Sequence, residues 1–236
     1  MRLPEPLIKG RLIKRHKWFL AEIELDDGTL VTAHCANPGS MLGVAMPGGE
    51  VYVHRHGNTQ RKLAFDWVLA DIDGVLVPVN ASNPNAIVDE ALRADNISEV
   101  TGYGQVRREV KYGERSRVDF LLERHADARS CFLEVKNVHL VRTDGLAEFP
   151  DSVTARGARH LNDLGDRVKS GDRAVLLYIV QRNDCTRFSL ATDLDPAYAE
   201  AALVARDHGV EFLCYDCDIT MNEILLRHRL PIDFEL

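Results

Sequence analysis

The sequence predicts two consecutive domains, an all-β domain at residues 1–80 and a mixed α/β domain at residues 81–236. Three observations support this division. In the first domain, short runs rich in apolar residues are separated by Gly, Pro, Asn and Asp turns. Beyond Asn80, several segments carry apolar residues at helical spacing and alternate with strand-like runs. A chain of 236 residues is long enough for two domains of these sizes.

The first domain is predicted to contain five or six short strands. The strand-like runs are Leu7–Leu25, Leu30–Cys35, Glu50–His56, Lys62–Ile72 and Val75–Val79. Turn sequences such as Asp26-Asp-Gly28 and Asp73-Gly74 interrupt them. Short strands, frequent turns and no helical period favour a small barrel such as an OB-fold. That class often binds oligonucleotides, although a fold alone does not define a function.

The second domain is predicted to run helix, three strands, helix, strand, helix, strand. The helices are Pro84–Ala94, Asp151–Lys169 and Pro196–His208, and the strands are Gln105–Tyr112, Arg117–Glu123, Cys131–Val141, Ala174–Val180, Val210–Tyr215 and Ile219–Leu226. The continuous apolar run at Ala174–Val180 is typical of a strand buried on both faces. This order predicts a mixed α/β sheet domain.

Composition indicates a globular protein of a reducing compartment. Hydrophobic residues make up 45% of the chain and charged residues 28%, which suits a packed core. No apolar run approaches the ~20 residues that cross a bilayer, and the N-terminus has no apolar signal segment. Five scattered cysteines form no disulfide framework. We therefore expect a cytoplasmic protein without membrane contact.

The net charge of −7 is unevenly distributed along the chain. Residues 1–80 hold nine basic and nine acidic residues, so the remainder carries the whole negative charge. Basic residues nevertheless crowd one segment, at Lys9, Arg11, Lys14, Arg15 and Lys17. We call these five residues the β1 stripe. Local cations can bind phosphates whatever the global charge. The alternative is an exposed, solvated strand face, and composition does not decide between the two.

Three residues form the strongest chemical pattern, namely Asp119, Glu134 and Lys136. Glu134 and Lys136 are two apart on a predicted strand and therefore share one face. All three lie in apolar surroundings, where an unpartnered charge is costly. One solution is a structural ion pair between neighbouring strands. The other is a Mg²⁺ or Mn²⁺ site in which two carboxylates hold the ion and the lysine orients or deprotonates a water.

The order of elements around these residues resembles the core of the PD-(D/E)-x-K nuclease superfamily. A helix precedes three strands, with Asp on the second strand and Glu-x-Lys on the third. Members of that superfamily often carry a glutamate on the first helix, and Glu90 (or Asp89) matches that place. The alternative for Glu90 is an exposed helical acid.

The chain also resembles the sugar fermentation stimulation protein family (SfsA). The matching segments are Cys35–Met41, Arg108–Gly113, Ser116–Leu122, Leu133–Val138, Phe149–Thr154 with Arg156-Gly157 and His160-Leu161, and Gly209-Val-Glu211. The resemblance implies an OB-like first domain, a restriction-endonuclease-like second domain, DNA binding and a link to sugar (maltose) utilisation. It also implies that Asp119 and Glu134 are metal ligands and that Lys136 is the catalytic lysine.

Further residues are predicted to contact phosphate groups. Arg117, beside Ser116, is one candidate, and Arg156 and His160 form a pair at i and i+4 on one helix face. Helix capping or salt bridging is the alternative for that pair. Asn37 and Ser40 lie in a sharp turn whose amides and hydroxyl suit phosphate, or which simply joins two strands.

The sequence supports three functional hypotheses. The first is a metal-dependent nuclease that cleaves DNA or RNA. The second is a non-catalytic DNA-binding regulator that keeps the nuclease fold. The third is a small-molecule enzyme or metabolic regulator, which only the sugar-related name of the family suggests. No helix-turn-helix element stands out, so we expect binding that is largely independent of sequence. Trp18 beside Lys17 is a candidate for base stacking. Trp18, Phe19 and Trp67 also fit the core or rim of the barrel.

Overall fold

The fold of the protein was analysed in a computed structural model, which describes residues 1–58, 60–112, 116–127 and 129–234. The five cysteines are all buried, without disulfide bonds. Within the described residues, no helix has the length and apolar character that a membrane crossing requires.

The first domain is a closed β-barrel with a sixth strand attached. Its strands are β1 (Leu7–His16), β2 (Leu20–Leu25), β3 (Leu30–His34), β4 (Glu50–Arg55), β5 (Phe65–Ile72) and β6 (Val75–Pro78). They pair in the order β3-β2-β1-β4-β5-β6, and a parallel pairing of β3 with β5 closes five of them into a barrel. Leu12, Ile23, Val53 and Trp67 fill the interior. The predicted OB-like barrel is confirmed.

One predicted strand of this domain is divided. The run Leu7–Leu25 forms two antiparallel strands because Lys17 and Trp18 adopt positive φ angles of 49° and 63°. The chain reverses there, so Trp18 and Phe19 lie exposed at the tip of the β1–β2 hairpin.

The second domain is built on a six-stranded mixed sheet. Its helices are α1 (Asn83–Arg93), α2 (Ala155–Lys169) and α3 (Pro196–Asp207), and a 3₁₀ turn spans Ser98–Val100. The sheet strands are β7 (Gln105–Lys111), β8 (Arg117–Glu123), β9 (Cys131–Val138), β12 (Arg173–Val180), β14 (Glu211–Ile219) and β15 (Ile224–Arg229). Their order is β15-β14-β12-β9-β8-β7, with β9, β12 and β14 parallel and the outer pairings antiparallel.

A small second sheet was not predicted from the sequence. It consists of β10 (Leu140–Thr143), β11 (Leu146–Phe149), β13 (Arg187–Leu190) and β16 (Ile232–Asp233), in the order β10-β11-β13-β16. None of these strands exceeds four residues, which is too short for a clear alternation. The predicted strand Cys131–Val141 is consequently two strands, separated at His139.

The two faces of the large sheet carry separate cores. On one face, α1 residues such as Ile87 and Val88 pack with Phe120 and Val135 of the sheet and with Leu69 of the barrel. On the other face lie α2, α3 and the small sheet, whose core includes Leu161, Tyr178 and Tyr198. The barrel and the sheet therefore share a continuous core on the α1 side.

Helix α2 begins later than predicted, at Ala155 instead of Asp151. The Thr154 side chain accepts a hydrogen bond from the Gly157 amide at 3.1 Å and so caps the helix. Asp195, which is buried, caps α3 and also accepts from the Thr154 amide at 2.7 Å. A Cβ on Gly157 would meet Thr154 and Tyr198 at 2.9–3.0 Å, so only glycine allows the two helices to approach this closely.

Candidate functional site

The acids predicted as ligands lie where β8 and β9 separate. The ladder between these strands runs from Leu122↔Cys131 to Phe120↔Leu133 and then ends. The next residues along the two strands are Asp119 and Glu134. The Val135 amide, which lies beyond the end of the ladder, donates its hydrogen bond to Asp119 Oδ2 at 2.7 Å.

Glu134 is held by two donors on one of its oxygens. Lys136 Nζ donates to Glu134 Oε1 at 2.7 Å, and His160 Nδ1 makes a short hydrogen bond to the same atom. His160 Nε2 accepts from Arg156 Nε at 3.3 Å, so its ring proton is on Nδ1. The second oxygen, Oε2, is buried and has no donor among the described residues.

The two carboxyl groups have opposite pKa shifts. Burial, reinforced by the negative charge of Glu134, raises the pKa of Asp119 to about 6. Burial also acts to raise the pKa of Glu134, but the charge of Lys136 and the His160 hydrogen bond outweigh it, and the net pKa lies below the ordinary value. Two acids this close repel one another, and a cation between them would relieve the repulsion.

Helix α1 contributes an amide to the site, not the acid that was expected. Asn85, in its first turn, donates to Asp119 Oδ1 at 2.7 Å. Glu90 lies more than one turn further along the helix, is 61% exposed and pairs with the Met1 ammonium at 2.7 Å. Asp89 pairs with Arg93 on the helix surface. The structure therefore does not bring Glu90 to Asp119 and Glu134.

Helix α2 presents Arg156 and His160 on one face, as the i and i+4 spacing predicted. Their roles differ, because His160 is only 3% exposed and supports Glu134 from behind. It is a positioning residue and does not reach solvent as a phosphate contact must. Arg156 lies at the surface, where it borders two neighbouring depressions.

Both domains line the cleft above these residues, which has a volume of about 670 Å³. The second domain supplies Asn85, Asp119, Glu134, Lys136, Arg156 and His160. The barrel supplies Phe19, His34 and Pro38. The rings of Phe19 and His34 stack with 6.4 Å between centroids and 25° between planes. The sequence did not indicate that Phe19 would face the acids, since the tip of a hairpin has no fixed partner in a linear pattern.

The loop that contains Asn37 and Ser40 connects the two domains through Ser40 and Met41. Ser40 Oγ donates to the Asp151 carbonyl at 2.8 Å, and the Met41 amide donates to Asp151 Oδ2 at 2.8 Å. The Asn37 amide is buried between the Val79 carbonyl and the Gly39 amide. These side chains are therefore engaged in structural contacts and are not presented to a phosphate.

Arg15 secures the same loop from the barrel side. Its guanidinium donates to the carbonyls of Asn37 at 2.6 Å, Gly39 at 2.9 Å and Ser40 at 3.1 Å. It also donates to the Trp18 carbonyl at 2.8 Å. Four carbonyl contacts use most of the five donors of an arginine, so Arg15 acts as a clamp on the loop.

The rest of the β1 stripe is largely neutralised by the fold. Lys9 pairs with Glu50 at 2.7 Å and Lys14 pairs with Glu22 at 3.2 Å. Arg11 donates to the Gly48 carbonyl at 3.2 Å, opposite Glu24 on β2. Lys17 occupies the hairpin turn. Of the two interpretations of the β1 stripe, an exposed and solvated strand face fits these contacts better than a phosphate-binding surface.

A different set of cations lines a second depression, next to the cleft, on the second domain. Lys111, Arg117, Arg156 and Arg159 line a depression of about 460 Å³ together with Ser116 and Glu109. We call these four cations the basic patch. No carboxylate of the described residues forms an ion pair with any of them, although Arg117 donates to the Glu109 carbonyl at 2.7 Å. Because Arg156 also lines the cleft, the patch is continuous with it.

The fold and site together define a class of protein in which an OB barrel and a mixed α/β domain share a cleft containing buried carboxylates and a lysine. Two family models match this chain. One, described as the sugar fermentation stimulation protein RE domain, matches residues 82–223, and the other, the SfsA N-terminal OB domain, matches residues 13–79. The chain belongs to the sugar fermentation stimulation protein family.

Relatives resemble the chain over nearly its full length. Sugar fermentation stimulation protein homologs from Paramagnetospirillum magneticum and Rhodospirillum centenum are each 51% identical, over 99% and 98% of this chain and 98% and 99% of theirs. The homolog from Maricaulis maris is 47% identical over 99% of both. The structure of Pyrococcus furiosus SfsA in complex with Ca²⁺ matches with a TM-score of 0.87 over 99% of both chains at 23% identity, which shows a common fold.

Proposed function

We propose that this protein is a metal-dependent nuclease that binds DNA or RNA without strong sequence preference and cleaves its phosphodiester bonds. The observation that carries the proposal is the environment of Glu134. One oxygen of this buried carboxylate accepts two hydrogen bonds, while the other is buried with no donor among the described residues. Burying a charged oxygen without a partner is costly, so a ligand that takes it is expected.

The residues present fit a hard divalent cation. Mg²⁺ favours oxygen ligands and is often held by one or two carboxylates, with water and substrate phosphate completing its shell. Asp119 and Glu134 would be the two protein ligands here. Within the described parts of the chain, no three His, Cys, Asp or Glu side chains are placed to hold a metal ion together, so water and substrate oxygens would have to complete the shell. The Pyrococcus furiosus relative is described with Ca²⁺, which also takes oxygen ligands.

The neighbouring side chains would have distinct roles. When bound, Mg²⁺ or Mn²⁺ supplies Lewis-acid polarisation of the phosphate and lowers the pKa of a water. Lys136, two residues from Glu134 on the same strand face, would orient the attacking water and offset developing negative charge. Asn85 and the Val135 amide fix the direction of the Asp119 carboxylate. His160 fixes Glu134, and Arg156 supports His160 and faces the substrate.

The basic patch supplies a binding surface for the strand. Its four cations line a depression that shares Arg156 with the cleft, and phosphate contacts of this type provide most of the affinity of non-specific nucleic-acid binding. Phe19 and His34 add an aromatic surface on the opposite wall, on which bases can stack. A strand lying between these walls would have its backbone near Asp119 and Glu134.

A cleavage assay tests the proposal. Labelled single-stranded, duplex and structured DNA and RNA are incubated with Mg²⁺, with Mn²⁺ or with EDTA. We expect cleavage of at least one substrate with a divalent ion, and a fall to the no-enzyme rate in Glu134→Gln. Glu90→Gln is the matched control, because it changes an acid outside the cleft and should cleave at the wild-type rate. Equal cleavage by Glu134→Gln and wild type would refute the assignment.

Thermal unfolding gives a second measurement that does not depend on activity. An ion that binds only the folded state stabilises it by about 2.7 kcal/mol at 100 times its Kd. We expect Mn²⁺ to raise the Tm of the wild type and of Glu90→Gln, but not that of Glu134→Gln. An equal rise in all three proteins would place the cation elsewhere.

A second candidate function is a non-catalytic nucleic-acid-binding regulator. The basic patch supports it, because those contacts need no metal and no chemistry at the acids. This candidate predicts salt-sensitive binding with no cleavage under any divalent ion. The name of the relatives refers to sugar fermentation. Whether the chain is a nuclease or a non-catalytic regulator, we propose that it affects sugar (maltose) utilisation by binding nucleic acid.

A further inference from the structure

A second cavity lies beside the cleft. Its volume is about 290 Å³, and it shares the lining residues Pro38, Ala81, Phe149 and Thr154 with the cleft. Its other walls come from residues 137–140, where β9 ends and β10 begins, and from the loop between β11 and α2. We call it the inner cavity. Because the two spaces share these lining residues, the inner cavity is adjacent to the cleft.

His139 lines this cavity and has a buried ring N–H without a hydrogen-bond partner among the described residues. Asn137 Oδ1 accepts from Gln181 Nε2 at 2.7 Å, so the Nδ2 of Asn137 is the atom that faces His139 Nδ1, at 3.3 Å. His139 Nδ1 is therefore the acceptor, and the ring proton is on Nε2. The side chain is 6% exposed, and burial lowers the pKa of His139, which keeps the ring neutral.

The Nε2–H group has no hydrogen-bond partner among the described residues. The nearest acid oxygen, Asp151 Oδ2, is 3.9 Å away, too far for a hydrogen bond. That oxygen already accepts from the Met41 amide, but a carboxylate oxygen can accept more than one hydrogen bond. The cavity wall thus carries the Asp151 carboxylate, which can accept further hydrogen bonds, close to the buried and unpartnered Nε2–H of His139.

We propose that the inner cavity binds one unpaired nucleobase of the strand that occupies the cleft. The polar edge of a nucleobase carries donors and acceptors next to one another, which complements His139 and Asp151. Two carboxylates, Glu148 and Asp151, line the cavity and would repel a phosphate. The apolar surfaces of Phe149, Pro38 and Pro150 suit the faces of a base.

The size and rigidity of the cavity agree with this ligand. Its volume of about 290 Å³ is at the lower end for small-molecule sites, enough for one base and not for a longer segment. Phe149 is held against the rings of Tyr178 and Tyr198, with centroids 5.6 and 5.1 Å away. Its ring is therefore a fixed wall.

A base site of this kind specifies the substrate class of the proposed nuclease. It rests on the proposed function, because only that function makes a nucleic-acid strand the ligand of the cleft. A base within a duplex is paired and stacked on its neighbours, and it must leave the stack before a protein pocket can enclose it. The preferred substrate is therefore a single strand, or a strand with an unpaired base next to the cleavage position.

An abasic scan on the wild-type protein tests the inference without requiring cleavage. Short fluorescent single-stranded DNAs, each lacking the base at one position, are titrated in EDTA and followed by anisotropy. Because the binding of one base contributes roughly tenfold to affinity, we expect one position at which removal weakens binding about tenfold. Equal affinity at every position would overturn the proposal, and this result needs no variant that might misfold.

Two variants then assign the effect to His139. His139→Leu removes the donor, and we expect it to bind the intact strand about tenfold more weakly and to lose the discrimination against the abasic strand. His139→Gln places an amide donor close to the former Nε2 and should keep the discrimination. Circular dichroism and thermal unfolding check that both variants fold. Full discrimination in His139→Leu would place the base elsewhere.

The outcomes separate this inference from the proposed function. Cleavage with Mn²⁺ but no abasic effect refutes the base site and leaves the nuclease intact. An abasic effect without cleavage supports the base site and removes the nuclease. Calorimetric titration with glucose and maltose covers the remaining ligand class, since sugar hydroxyls also donate and accept. Sugar binding that is lost in His139→Leu, without an abasic effect, would overturn the base assignment in favour of a sugar site.

Discussion

The β1 stripe and the basic patch contain similar numbers of cations but differ in what surrounds them. The stripe is dense in the sequence, yet Lys9 and Lys14 face glutamates and Arg15 is bonded to carbonyls. The patch is assembled from β7, β8 and α2, and its cations have no carboxylate partner among the described residues. The comparison shows that charge density along a chain is a poor guide to charge available for binding. Cross-strand pairing decides which cations remain available.

The largest expected effect comes from the basic patch. The double variant Arg117→Ala/Arg159→Ala removes two of the four patch cations. With the proposed charge-assisted hydrogen bond from each to a phosphate lost, DNA binding should weaken on the order of 100-fold at low salt. The slope of log affinity against log salt should also become shallower by about 1.5. Anisotropy titrations over a series of salt concentrations measure both quantities. An unchanged slope would mean that the strand does not cross the patch.

Arg15 should affect stability and not salt dependence. Arg15→Ala removes hydrogen bonds to three carbonyls of loop 37–40 and should lower the free energy of unfolding by about 2 kcal/mol. Arg15→Lys keeps the charge but loses the planar fork, so we expect most of the same loss. Urea denaturation of these variants beside Lys14→Ala provides the comparison. Full stability in Arg15→Lys would show that charge alone holds the loop.

The barrel is expected to contribute by stacking. Phe19→Ala should weaken single-stranded DNA binding about tenfold, because one base–aromatic stack contributes roughly 1–3 kcal/mol. The salt slope should stay at the wild-type value, since no charge is removed. Phe19→Tyr retains the ring and is the matched control. A loss of affinity for duplex DNA as large as that for single strands would argue against stacking.

The smallest effect is expected from the stripe itself. Lys9→Ala and Lys14→Ala each remove one partner of an exposed ion pair, so neither lysine is a free cation for a phosphate. We expect affinity within about twofold of the wild type. A drop as large as that of the patch variant would reverse the comparison between the two regions.

Much of the framework was predictable because it depends on local patterns. The turn-separated strands of the barrel, the buried run at Ala174–Val180 and the position of Asp119 before Glu134-Val-Lys136 all follow from spacing within short segments. The i and i+4 pairing of Arg156 and His160 is of the same kind. Each of these inferences uses only the period of one element.

The remaining parts of the site depend on contacts between elements, which no period specifies. Asn85 was missed because only the approach of α1 to β8 shows that its first turn, and not Glu90, meets Asp119. His139 was missed because it lies at the break between two strands predicted as one. The role of His160 also changed, because the depth at which α2 packs on β9 cannot be obtained from α2 alone.

Loop 37–41 has a consequence for how the protein can be divided. Its Ser40 and Met41 contacts to Asp151 attach a barrel loop to the segment that precedes α2, and Pro38 contributes to both the cleft and the inner cavity. A fragment ending near residue 80 would contain only the barrel residues that line the cleft and the inner cavity, and the rest of the chain would lack them. Neither half of the chain, grafted onto another scaffold, would therefore carry a complete cleft or a complete inner cavity.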